Sequence, residues 1–153
     1  MKFLKKYKVF ESEEFDNIKL ELEDILQEMK DEFVSNGVYT ELPLQIKYSE
    51  RGDIDLISIN IGNMFAKYDN YSLKMRNIKD TLFRVNDYME SEGYNFKSFC
   101  WDYDGHTKYS YTEFGKNRPF EDILKVGETV YLAIFYTKKI NIWKILDYLT
   151  ILK

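Results

Sequence analysis

A chain of 153 residues that is 44% apolar and 17% aromatic, with only 2 prolines and 7 glycines, has the composition of one folded domain and not of a disordered segment. A net charge of -4 argues against general affinity for nucleic-acid backbones, and a single cysteine excludes an intramolecular disulfide framework, in keeping with a reducing compartment. No apolar run reaches the roughly 20 residues that cross a bilayer, and the opening MKFLKKYKVF lacks the continuous apolar stretch of a signal peptide, so no membrane partner is expected and the expected location is the cytoplasm.

The charge is uneven. Lys2, Lys5, Lys6 and Lys8 crowd the start, while ten acidic residues lie between Glu11 and Glu32 against Lys19 and Lys30. An acidic helix is usually a solvated face, and the sharper alternative is a docking surface for a basic partner.

YKVFE, residues 7–11, reads as a short first strand. Ser12 then offers an N-cap, with Glu13 and Glu14 at the positive end of the helix dipole. Phe15, Ile18, Leu22, Ile25, Leu26, Met29 and Phe33 follow at helical spacing, and Gly37 suits the C-terminal cap. Leu42, Leu44, Ile46 and Tyr48 alternate along a strand, and Pro43 points to an edge or a strand beginning. The apolar parity of the next strand changes between Leu56 and Ile57, which predicts a β-bulge there. Between these strands, Arg51-Gly52-Asp53 spells the tripeptide that integrins read, although a tight hairpin turn explains it more simply.

Ser72 is expected to cap a second helix carrying Met75, Ile78, Leu82, Val85 and Met89, ended by Gly93. A hairpin, a short helical turn behind Pro119, a strand over residues 128–137 and a closing amphipathic helix with Ile142, Ile145, Leu146 and Leu149 complete the order. Val130, Leu132 and Ile134 alternate with Tyr131, Ala133 and Phe135, so that strand is apolar on both faces and belongs mid-sheet. The expected fold is a single α+β domain over 1–153: an antiparallel sheet of about five or six strands, with two long helices on one face. Its core would be ferredoxin-like, a split β-α-β arrangement, extended by the C-terminal hairpin, strand and helix.

FCWDYDGHTKYSYTEF, residues 99–114, concentrates the residues capable of chemistry. Asp-Gly between apolar runs signals a hairpin. A three-residue loop over Tyr103, Asp104 and Gly105 would pair Phe99 with Tyr109, Trp101 with Thr107 and Asp102 with His106, gathering the rings on one face. That arrangement accounts for Cys100, Trp101, Asp102 and His106 without catalysis. Asp102, Asp104 and His106 could instead hold a metal, and Asp-Tyr-Asp-Gly resembles the nucleophile loop of haloacid-dehalogenase-type phosphatases. The resemblance implies a phosphorus-attacking Asp102, an acid-base Asp104 and bound Mg²⁺. It covers four residues, and the 49 residues after Asp104 leave little room for the remaining motifs of that family. No motif calls for a cofactor, and no small-molecule substrate is evident.

Thirteen tyrosines and eleven phenylalanines exceed the needs of one core. Trp101, Tyr103, Tyr109, Tyr111, Tyr68 and Tyr71 are therefore the candidate binding residues. The expected function is non-enzymatic interaction with a protein partner or with a second copy of the chain. Two alternatives are single-stranded nucleic-acid binding on sheet aromatics, which resembles RNA-recognition-motif domains, and a metal-dependent hydrolase at the hairpin. The opening MKFLKKYKVFES, together with the Tyr-, Asn-, Lys- and Ile-rich composition, resembles the short proteins of large tailed phages. That resemblance implies a virion or cargo component, or an accessory factor directed at a host protein, located in the host cytoplasm or within a virion.

Overall fold

The computed structural model describes the backbone of residues 2–35, 43–62, 73–103, 106–110 and 119–139, and the side chains of 13–31, 43–62, 73–102 and 119–139. Residues 2–35 contain no glycine or proline, and helix α1 runs through all of them, Lys2–Ser35. The expected strand at 7–11 and the expected cap at Ser12 both fall inside this helix. The lysines, leucines and glutamates of this stretch are good helix formers, and nothing in it halts propagation once the helix has nucleated. Ile18, Leu22, Ile25, Leu26 and Met29 are buried, as their spacing predicts. Gly37 lies outside the described residues.

Strands β1 (Leu44–Arg51) and β2 (Ile54–Gly62) form a hairpin closed at Arg51 and Ile54. Gly52, in the turn, has φ +64°, a conformation that glycine adopts without strain. Pro43 precedes β1, an edge strand. The expected bulge at Leu56 is absent, because β2 pairs in unbroken register with both neighbours. Ile54 and Leu56 simply lie half-buried on the opposite face from Ile57, Ile59 and Ile61.

A two-residue strand, β3 (Leu73–Lys74), leads into α2 (Met75–Ser91). Lys74 occupies the N-cap position without a side-chain cap; the expected cap, Ser72, lies outside the described residues. Met75, Ile78, Leu82, Val85 and Met89 are all buried. The helix ends as expected at Gly93, φ +83°, where the Tyr94 amide donates to the Met89 carbonyl and the Gly93 amide to the Glu90 carbonyl. This is a Schellman closure, with Tyr94 and Met89 both buried.

Strands β4 (Asn95–Tyr103) and β5 (His106–Ser110) form the second hairpin. A 3₁₀ helix, Phe120–Val126, follows Pro119. The short β6 (Glu128–Thr129) pairs with β3, and β7 (Tyr131–Lys139) completes the main sheet. The main sheet is antiparallel in the order β1-β2-β7-β4-β5. The doubly apolar β7 is thus central, as expected. It also occupies the inner place that the first strand was expected to fill, so the α+β sheet is closed by the end of the chain and not by its beginning. The helix-side core joins Ile46, Ile57, Ile59, Ile61, Leu132, Ile134, Tyr136 and Phe99 to the apolar stripes of α1 and α2. Among the described residues no helix is long and apolar enough to cross a membrane. The closing helix expected at 142–149 lies outside the described residues.

Candidate functional site

The second hairpin differs from expectation in register. Tyr103 pairs with His106, Asp102 with Thr107, Trp101 with Lys108, Cys100 with Tyr109 and Phe99 with Ser110. Only residues 104 and 105 lie between the closing pair, so the Asp-Gly preference for a two-residue connection prevails. Ring gathering does not set the register, because the faces of β4 are already dictated by β7. Phe99 and Trp101 oppose Ile134 and Leu132 on the helix side, whereas β5, at the sheet edge, pairs with β4 alone among the described strands. Register places Asp102 and position 106 on opposite faces.

Trp101 is half-buried and stacks on Phe99 at 5.3 Å, so the ring is part of the packing beneath the helices. Cys100 is buried, and burial pushes its thiol pKa up, with a backbone hydrogen bond from Ala133 pulling weakly the other way; a protonated thiol is a poor nucleophile. Asp102 is 3% exposed. Its backbone carbonyl accepts from the Thr129 hydroxyl and the Val130 amide, while its Oδ1 accepts no hydrogen bond among the described residues. Tyr68, Tyr71, Tyr111 and Asp104 lie outside the described residues, as do the side chains of Tyr103, Tyr109 and His106.

What the fold does bring together is a cavity of about 490 Å³ where α2, β4, β7 and the 3₁₀ helix meet, within the size range of ligand sites. Asn86 and Glu90 come from α2, Asn95, Phe96 and Lys97 from β4, Phe120 and Glu121 from the 3₁₀ helix, and Thr137 from β7. Four features build it. Asn86, only 8% exposed, accepts from the Tyr136 hydroxyl at 3.1 Å and donates from Nδ2 to Glu90 Oε1 at 3.2 Å, which ties a wall carboxylate to the core. The β4–β7 register shifts between Phe96 and Ser98, making Lys97 the extra, bulged residue; bulges re-aim side chains in this way. Phe96 and Phe120 meet edge to face at 5.3 Å and give the cavity an aromatic lining. Finally, Lys97 and Glu121 are exposed and neither forms an ion pair with a described residue.

No family model, curated protein or solved structure matches this chain. The cavity must therefore be read from its own chemistry. Its wall offers carboxylates, amides, a hydroxyl and one ammonium group over phenyl rings, which are groups that recognise by charge and hydrogen bonding. Sequence reasoning missed it, although one signal was present: Asn86 lies four residues after Leu82 and three before Met89, a polar residue on an otherwise apolar stripe.

A second polar cluster ties α1 to the sheet. Lys138 Nζ meets Glu14 Oε1 at 3.2 Å and donates to the Glu92 carbonyl at 2.9 Å, 5.2 Å above the Tyr94 ring. Nearby, the Tyr48 hydroxyl lies 2.9 Å from Asp55 Oδ1. Burial raises the Asp55 pKa, with the Tyr48 hydrogen bond opposing it. Glu28 and Arg84, at 2.7 Å, link α1 to α2. Glu14 and Glu28 of the acidic helix are thus paired with cations of other elements of the domain.

Proposed function

We propose that this protein is a recognition domain that binds another protein through the α2–β4–3₁₀ cavity without transforming it. One observation carries this reading: charged and amide groups from three elements line the cavity together with Phe96 and Phe120, and one of them, Glu90, accepts from Asn86, whose own oxygen accepts from Tyr136. An aromatic centre inside a polar rim is the anatomy of a protein-binding surface. The resemblance of the N-terminal segment to tailed-phage proteins makes a host protein or a virion component the source of that partner.

The test is differential capture. Wild-type protein, the rim variants Lys97→Glu and Glu121→Lys, and a control reversal on the edge strand, Lys47→Glu, are used as bait in the native lysate. A partner retained by wild type and Lys47→Glu but lost from both rim variants supports the reading. A partner held equally by all four places binding elsewhere.

A further inference from the structure

We infer that the cavity receives an arginine side chain of the partner protein; this deepens the reading of the cavity as a recognition site and rests on it. Two lining carboxylates, Glu90 and Glu121, stand on different elements against a single lining cation, Lys97, so the charge balance favours a positive guest. Glu90 is already oriented by the Asn86 amide, which lowers the cost of ordering an acceptor on binding. Asn95 and Thr137 also line the cavity, and each carries a side-chain oxygen capable of accepting.

Several acceptors distributed around one cavity suit a planar guanidinium with five donors better than an ammonium with three, because the fork reaches separate partners at once. The phenyl lining favours the same choice. A guanidinium is weakly hydrated and stacks on aromatic faces, and Phe96 is half-buried in the wall. Glu121 lies beside Asp122, whose carboxylate is taken by Lys125 at 2.9 Å, whereas Glu121 itself makes no ion pair among the described residues. The cavity thus presents one carboxylate held by the fold and another without a cationic partner there.

The probe is N-acetyl-arginine amide, titrated into the full-length protein and followed by amide chemical shifts, with the lysine and citrulline analogues as comparisons. Shifts clustered at Glu90, Lys97 and Glu121 are expected, strongest for arginine and absent for neutral citrulline. Two charge variants separate recognition from misfolding. Glu121→Gln should weaken arginine binding by about twofold to fivefold, and Lys97→Gln should strengthen it by a similar factor. Amide shifts unchanged away from the cavity show that both variants are folded before their affinities are compared. Citrulline or lysine binding as well as arginine, or both variants shifting affinity in the same direction, overturns the inference. If the arginine probe fails while rim reversal still abolishes partner capture, the arginine assignment falls and the recognition role stands; if both fail, both fall.

Discussion

The Tyr136 hydroxyl donates to Asn86 Oδ1 at 3.1 Å, joining a residue of the central strand to a helix side chain in the cavity wall. Tyr136 is fully buried, and burial, with the negative charges of Glu90 and Asp87 adding to it, raises its phenol pKa. The hydroxyl therefore stays protonated and remains a donor. Tyr136→Phe leaves the Asn86 oxygen buried without this donor and should cost about 1–3 kcal/mol. Denaturant unfolding measures it. Asn86→Leu combined with Tyr136→Phe should cost less than the sum of the two single changes; additive costs would show that the pair is not coupled.

Asp102 presents the opposite situation, a buried acceptor whose Oδ1 has no hydrogen-bond partner among the described residues. Asp102→Val keeps a strand-favouring shape, leaves the backbone carbonyl bonds to Thr129 and Val130 in place, and removes the orphan. It should raise stability by roughly 1 kcal/mol. A lower thermal midpoint for the variant would contradict the assignment.

Asp55 supplies a pH dependence. Its folded pKa is raised above 3.8 by burial, so its favourable contribution is complete below 3.8 and is lost as pH rises through the folded value. At neutral pH the charged form is a cost. Asp55→Asn, which still accepts from Tyr48, should therefore be more stable than wild type at pH 7, and the difference should shrink as pH falls toward 3.8. A gain that grows on acidification would reverse the sign.

Gly93 closes α2 at φ +83°, with the Cε of Lys138 3.4 Å from where a Cβ would stand. Gly93→Ala should cost about 1 kcal/mol or more, from backbone strain and not from a clash, because the Lys138 chain can yield. Adding Lys138→Met should leave that cost nearly unchanged. A large rescue would locate the cost in the contact.

The periodic parts of this fold were legible in the sequence. The stripe from Met75 to Met89, the turn at Gly52 and the central place of the last strand each follow from local pattern and burial demand. The start of α1 was not, because Lys-Tyr-Lys-Val-Phe alternates like a strand, and only the uninterrupted helix formers on its C-terminal side extend the helix back through it. Parity misled at β2. Leu56 changes face without a bulge because both faces of β2 are partly covered; the bulge at Lys97, which lets Phe96 and Phe99 share the helix-side core, had no counterpart in the sequence reading. Cross-strand ring pairing also lost to turn chemistry at Tyr103 and His106. The cavity was hidden for a different reason: Glu90, Lys97 and Glu121 become neighbours only through tertiary packing.

Photocrosslinking tests the recognition claim most directly. A benzophenone side chain is placed at position 97 on the cavity rim, or at position 47 on β1 as a control, and irradiated with the partner isolated by differential capture. A discrete crosslink from 97, with little from 47, is the result predicted; its suppression by excess N-acetyl-arginine amide tests the arginine inference alone. Equal crosslinking from both positions, or a product confined to 47, would contradict the account.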